Sequence, residues 1–320
     1  MKVSEDINLN SFFKNEHKQI SICACDAGSA EHILKWTKNI KKRIKYSLNG
    51  PALSIFTKEN KSIKNLSIEE CLDGSQLHIA GTAWSSDFEI YSTKLAKEKS
   101  IYTISVLDHW VSYPQRFLYQ DELILPDEIW VSDEIAKEIA SHQFQNIKVS
   151  ILPNLWMHNL KKKVDLLFKE LNRSKNIPAF NLLYLLEPIR PSKQWETKYK
   201  ELSEFDALRY FIERIKILQN LNFIDKRINK INLRLRLHPS EKSEKYINFL
   251  NKLNTLINYE ISISQNLEED LAWSDIAFGV ETQALICALE CGIISISTKP
   301  KWAQKCSLPH KDLLHLHELE

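Results

Sequence analysis

Glycine is scarce in this chain, with six among 320 residues, at positions 28, 50, 74, 81, 279 and 292. That scarcity removes the glycine-rich loops that cradle phosphates in several large enzyme classes. No G-x-G-x-x-G follows a strand-like run, which disfavours an NAD enzyme, and no G-x-x-x-x-G-K exists, which excludes a P-loop. The lack of G-x-S-x-G disfavours a serine hydrolase. Long apolar runs are also missing: none approaches the roughly 18 residues of a membrane span. The N-terminal stretch MKVSEDINLNSFFKNEHKQ has no signal-peptide core. A cytoplasmic protein is therefore expected, without a membrane span, and with peripheral association through basic surface still open.

Charge of one sign is missing too. Lys and Arg number 43 against 41 Asp and Glu, a net of +2, so no nucleic acid partner is expected. The basic runs at Lys38–Lys45 and Lys161–Lys163 read as solvated helix faces. Six cysteines occur, none in a C-x-x-C pair. Cys23 and Cys25 sit in an apolar run, and Cys287 and Cys291 lie four apart on a helical pattern. In a reducing compartment these are core thiols. With no second pair at metal-ligand spacing and no D-x-D motif, neither a metal nor a resident cofactor is expected.

What is present is alternation. Strand patterns at QISICACD (19–26), PALSIFT (51–57), QLHIAGTA (76–83), IYTISVLD (101–108), PDEIWVSD (126–133) and NIKVSILPN (146–154) are separated by helical patterns, the first at 29–44. Residues 157–178 are polar and lysine-rich, a helical connection. Strand patterns resume at 180–188, 231–239, 259–264, 275–279 and 293–297, again with helices between. Alternation of this kind predicts an α/β fold of two Rossmann-like domains, 1–160 and 161–320, each a parallel sheet flanked by helices, with a cleft between them. Ligands in such sheets bind beyond the carboxyl ends of the strands, so the residues there are the candidates.

In the second half, LRLRLHPSEKSE ends a strand at His238, Pro239 and Ser240. A histidine at a strand end can donate to a phosphate or protonate one as it leaves; the alternative is a strand-end histidine followed by an imperfect capping box. After the strand DIAFG come Gly279, Glu281 and Thr282. Gly279 permits close backbone approach, the helix beginning near Thr282 favours an anion, and Glu281 can accept from ribose hydroxyls; simple capping explains Glu281 and Thr282 equally well. Glu187 and Arg190 border the first strand of this half, where Arg190 suits a phosphate or carboxylate, or a salt bridge.

In the first half, Asp26, Gly28 and Ser29 follow the first strand. Asp26 is the first candidate for a base that takes a proton from an acceptor hydroxyl, with helix capping as the alternative. Asp108 ends the fourth strand and is the second candidate base. His109 and Trp110 follow it, with Tyr113 and Arg116 downstream, and GTAWSSD supplies Thr82, Trp84, Ser85 and Ser86. Together with Gly28 and Ser29, the group Thr82, Trp84, Ser85, His109 and Trp110 suits a sugar acceptor, stacked on a ring and fixed through its hydroxyls. The segment PDEIWVSDEIAKEIA reads as a strand and a capped helix without chemistry.

The order LHPSE, then about 40 residues later SDIAFGVETQALICALECGIISIS, resembles the C-terminal half of GT-B glycosyltransferases over roughly residues 180–298. More narrowly it resembles the bacterial sialyltransferase and polysialyltransferase-like group, in which a His-Pro motif holds CMP. The resemblance implies a metal-independent, inverting glycosyltransferase with a nucleotide-sugar donor as substrate, CMP-linked to a sialic-acid-like nonulosonate, and a glycan acceptor, within surface-polysaccharide biosynthesis. It implies that His238 contacts the CMP phosphate and that Thr282 binds the phosphate or the sugar carboxylate. The group's paired serines are replaced here by Val280, Glu281 and Thr282, and its acidic-acidic-Gly signature has only CDAG (25–28) and LDG (72–74) as near matches. A Glu-Thr turn also resembles UDP-sugar enzymes of the same fold. Two other functions therefore stand beside the first: a UDP-sugar 2-epimerase or hydrolase, and a non-catalytic sugar- or nucleotide-binding module.

Overall fold

A computed structural model of the chain describes residues 19–38, 40, 43–83, 86–174, 179–189, 202–218, 230–238, 241–252, 259–264 and 266–319. The chain divides into two compact units, Met1–Trp156 and Met157–Glu320.

In the first unit, β1 (Gln19–Ala24), β2 (Arg43–Leu48), β3 (Leu77–Ala80), β4 (Tyr102–Val106), β7 (Glu128–Val131) and β8 (Lys148–Ile151) form one sheet in the order β2-β1-β3-β4-β7-β8. Every pairing is parallel. A short antiparallel pair, β5 (Leu118–Tyr119) and β6 (Glu122–Leu123), stands apart. The helices are α1 (Ala27–Thr37), α2 (Gly50–Glu59), α3 (Ile68–Leu72), α4 (Phe88–Glu98), α5 (Tyr113–Arg116) and α6 (Glu134–Gln143).

The strands are covered on both faces, as the parallel pattern requires. Ile20, Ile22 and Ala24 face a core with Ile33, Trp36, Ala52 and Phe56, while Cys23 faces the other layer with Ile68, Cys71, Leu72 and Ala96. Full burial of each isoleucine stabilises the sheet by about 1.5–3 kcal/mol.

Two elements differ from the sequence reading. The helix expected over 29–44 stops at Thr37, and β2 takes Arg43–Leu48. The strand expected over 51–57 is α2. Pro51 stands in the first turn behind an Asn49 cap, where its missing N–H costs nothing. Ala52 and Phe56 then bury at helical spacing while Leu53 is exposed. The segment mixes apolar and small residues, so period alone did not separate strand from helix.

In the second unit, α7 (Leu155–Ser174) leads into a sheet ordered β11-β10-β9-β12-β13-β14. Its strands are β9 (Ala179–Leu185), β10 (Lys230–Arg236), β11 (Tyr259–Ile261), β12 (Ile276–Gly279), β13 (Ile294–Ser297) and β14 (Leu314–His315), all paired in parallel. The remaining helices are α8 (Glu204–Leu218), α9 (Ser243–Lys252), α10 (Leu267–Trp273) and α11 (Gln283–Glu290). β14 and the β5–β6 pair carry two residues per strand, too short to show a period.

The LRLR alternation has a direct structural reading. Leu233 and Leu235 enter the core. Arg234 and Arg236 instead converge on the fully buried Asp270 of α10, at 3.1 and 2.6 Å, with Ser262 Oγ donating at 2.6 Å. A buried charge persists only when paired in this way.

Among the described residues, no helix is long and apolar enough to cross a membrane. All six cysteines are free; Cys23, Cys71 and Cys287 are buried.

Candidate functional site

Both sheets reverse their winding direction once, and the reversal marks where such folds bind ligands. In the first unit it falls between β1 and β3, and in the second between β9 and β12. Asp26, Gly28, Ser29 and Thr82 stand at the first point, and Glu187, Gly279, Glu281 and Thr282 at the second.

In the first unit Asp26 caps α1, accepting from Ala27 N at 2.6 Å. It is half-buried and so remains within reach of solvent. Asp108, after β4, is buried. Its Oδ2 lies so near the α1 backbone that a Cβ at Gly28 would stand 1.9 Å from it. Ser29 N donates to Asp108, so this helix N-terminus is already occupied by a carboxylate rather than open to a phosphate. Arg116, also buried, faces Asp108 at 3.6 Å. It is anchored by donating to Thr82 O at 2.6 Å and Val111 O at 3.3 Å. Ser112, with φ 59, occupies the left-handed region and turns the chain into α5, which carries Arg116.

Burial raises the Asp26 carboxyl above its ordinary value, and the Asp108 charge adds to the rise; Ala27 N, Arg116 and His109 oppose it. Burial likewise raises Asp108 against Arg116 and the backbone donors. Two carboxylates sharing one site are thereby kept from ionising as freely as they would in water. A half-buried carboxylate with a raised pKa beside a fixed buried one can exchange a proton with a bound hydroxyl.

The structure also turns several predicted sugar-binding residues inward. Trp110 is buried, with Nε1 donating to Asp133 Oδ2 at 3.0 Å, so it packs the interior instead of offering an open stacking face. Asp133 at the same time caps α6 through Ala136 N. Thr82 is buried and donates to Val106 O at 2.7 Å. Gly28 and Ser29 serve the approach of Asp108. His109 is half-buried, its Nδ1 accepting from Trp110 N at 2.9 Å. Trp84 and Ser85 lie outside the described residues.

In the second unit, Glu187 follows β9 and accepts from Glu281 N at 2.6 Å. Burial pushes its carboxyl up to about 7, with Glu281 N opposing the rise and the Glu281 charge adding to it. The Glu281 side chain bonds Lys299 Nζ at 2.7 Å and accepts from Ser307 N at 3.0 Å and Ser307 Oγ at 2.8 Å. Burial would raise Glu281, but Lys299 and Ser307 outweigh it and hold the carboxyl below its ordinary value. Thr282 caps α11, accepting from Ala284 N at 3.4 Å. Gly279 is closely packed: a Cβ there would stand 3.2 Å from the Thr282 methyl and 3.3 Å from Leu185 O. His238 stands half-buried at the end of β10, the neighbour of β9, with its carbonyl accepting from Glu241 N at 2.9 Å. Pro239, Ser240 and Arg190 lie outside the described residues. Beyond the end of β11, a cavity of about 580 Å³ is lined by Arg234, Ser262, Ser264, Asn266 and Glu269, a size within the range of small-molecule sites.

Sequence reasoning missed Glu89 and Lys299. Glu89 falls in an amphipathic helical pattern over 87–100 that carries no motif. Lys299 sits in STKP just beyond a strand, a placement that was visible, but nothing local showed that it would be buried.

No protein-family model matches the chain, and no curated protein matches it. Solved structures do. The UDP-GlcNAc 2-epimerase from Methanocaldococcus jannaschii superposes with a TM-score of 0.54 at 13% identity, over 87% of this chain and 83% of that one. A putative UDP-N-acetylglucosamine 2-epimerase from Listeria monocytogenes gives 0.53 at 10% identity, over 88% and 79%. The fold is thus of the GT-B type, with two Rossmann-like sheets. The narrower resemblance to sialyltransferases gains no support from these structures.

Proposed function

We propose that this protein is an enzyme acting on a nucleotide-activated sugar, and that it transfers the glycosyl group to a hydroxyl acceptor with inversion. The observation that carries the reading is the pairing of solvent-reachable Asp26 with buried Asp108 and Arg116 at the strand ends of the first unit. Asp26 takes the acceptor proton as the acceptor oxygen forms its bond to the anomeric carbon. The bond from that carbon to the nucleotide phosphate breaks, and the phosphate departs with the electron pair. Asp108, fixed by Arg116 and Ser29 N, stands beside Asp26 and, through the repulsion between the two carboxyls, makes Asp26 readier to accept a proton.

In the second unit, the α11 N-terminus with Thr282, and His238 at the end of β10, are the groups suited to the phosphate. The Glu281–Lys299 pair is suited to the sugar or ribose hydroxyls. These groups carry the leaving charge without a metal. The donor nucleotide is UDP or CMP. The similar epimerases are named for UDP-GlcNAc, and the His-Pro resemblance implies a CMP-linked nonulosonate.

A UDP-sugar 2-epimerase or hydrolase is the second reading, favoured by the fold shared with those epimerases. The test is incubation of the native chain and Asp26→Asn with UDP-GlcNAc and a CMP-nonulosonate, with and without oligosaccharide acceptors. Nucleotide release that needs an acceptor and vanishes in Asp26→Asn supports transfer. Release without acceptor, or inversion at the sugar C2, moves the protein to the second reading. No release from any donor refutes both and leaves a binding module.

A further inference from the structure

Glu89 lies on α4, a helix to which the sequence assigned no chemistry, yet the residue is 1% exposed. Its carboxylate bridges the two strand ends that flank the reversal of the first sheet. Oε1 accepts from Cys25 N, just beyond β1, at 2.8 Å. Oε2 accepts from Ala83 N, just beyond β3, at 2.5 Å. The approach is so close that a Cβ at Gly81 would stand 2.2 Å from Glu89 Oε1 and 2.3 Å from Ser29 Oγ. The carboxylate therefore fills the crossing point of β1, β3 and α1, directly behind Asp26.

From this geometry we infer that Glu89 is the positioning residue of the site: it ties the end of β1 to the end of β3 and so fixes where Asp26 stands. The inference rests on the reading of Asp26 as the proton acceptor and adds the residue through which that acceptor is held.

Two features go beyond a simple structural bond. Both backbone amides need an acceptor, and only a carboxylate offers two equivalent oxygens; an amide side chain offers one. Glu89 also senses the site. Burial pushes its carboxyl up to about 7, Cys25 N and Ala83 N pull it down, and the Asp26 and Asp108 charges push it further up. The other titratable groups around it are Cys23 and Cys25 on the β1 side. Arg116 reaches the same loop through Thr82 O, and His78 of β3 reaches α4 through Ser92 Oγ at 3.0 Å. Proton loss from the acceptor hydroxyl to Asp26 would thus be felt at Glu89, which holds the backbone on which Asp26 stands.

The test uses the full chain and needs no nucleotide, so it fails or succeeds independently of the donor reading. Amide exchange at Cys25 and Ala83 is measured by NMR in the native chain, Glu89→Gln and Glu89→Ala. Glu89→Gln is expected to leave one of the two amides protected, while the other, now facing an NH2 group, exchanges on the order of tenfold faster. Glu89→Ala speeds both; should it fail to fold, Glu89→Gln alone decides. The second readout is the titration of a ¹³C-labelled Glu89 carboxyl, whose midpoint is expected to move to lower pH in Asp26→Asn, because the Asp26 charge that opposes its ionisation is then gone and this repulsion is felt only if the two carboxyls stand together. Unchanged protection of both amides in Glu89→Gln, or a Glu89 midpoint indifferent to Asp26→Asn, overturns the inference.

Discussion

Replacing a helical glycine by alanine ordinarily stabilises a protein, by about 0.5–1 kcal/mol. At Gly28 the structure predicts the opposite sign. The residue lies in the first turn of α1, and its added methyl would stand 1.9 Å from Asp108 Oδ2 and 3.0 Å from Asp108 Cγ. Asp108 is buried and faces Arg116, so it cannot move far without disturbing that pair. Its displacement would take the carboxylate away from a buried guanidinium that donates to the carbonyls of Thr82 and Val111. Breaking a buried pair costs about 3–5 kcal/mol, so Gly28→Ala is expected to lose roughly 3 kcal/mol through the pair and to gain at most about 1 through the helix, a net loss of about 2. The assay is urea unfolding followed by circular dichroism, run as a double-mutant cycle with Asp108→Ala. In that background the clash is gone, and Gly28→Ala should be neutral or stabilising, giving a coupling of about 3 kcal/mol. Equal destabilisation by Gly28→Ala in both backgrounds would refute the claim that Asp108 is seated against α1.

Other predictions follow from the same groups. Glu89 is held at about 7 against an ordinary 4.5, so the folded state retains its proton longer than the unfolded one does. Stability should therefore fall by about 3 kcal/mol from this group as pH rises from 4.5 to 7, and level off above; Glu89→Gln should remove that slope, and parallel profiles would contradict the burial argument. His32 is lowered to about 4 by burial, so its contribution runs the other way, with stability lost as pH falls from 6.5 toward 4; NMR of the His32 ring should show a neutral imidazole at pH 5.5. Lys299→Met removes the cation that holds Glu281 down, and a ¹³C-labelled Glu281 should titrate at higher pH in that variant. Thiol labelling of the native chain should leave Cys23, Cys71 and Cys287 unreacted while Cys25, Cys291 and Cys306 label first.

The fold was legible because alternating strands and helices admit few arrangements. Each half of the chain carried the pattern, and the LRLR strand carried the period-two alternation, while the convergence of its arginines on Asp270 appears only in the fold. The β2–α2 exchange was not legible, since PALSIFT has strand-like composition and its helical face appears only once Phe56 and Ala52 meet a sheet. For the site, sequence placed Asp26, Asp108, Glu187, Glu281 and Thr282 at strand ends, and the strand orders put four of the five at the two reversals. Sequence could not show which side chains turn away from solvent. Trp110 and Thr82 have the types of sugar-binding residues and are packing residues here. Glu89 has the type of a surface residue and is buried at the centre. Burial is decided by long-range pairing between β1, β3 and α4, which no local window contains.

The most direct measurement is a calorimetric titration of the native chain with UDP, CMP and GDP, repeated on His238→Ala and Asp26→Asn. The account predicts that UDP or CMP binds, that His238→Ala weakens it about tenfold, the effect of one lost charge-assisted contact, and that Asp26→Asn leaves the affinity unchanged. Absence of binding by every nucleotide, or equal affinity in His238→Ala, would contradict the assignment of the second unit as the nucleotide-holding half.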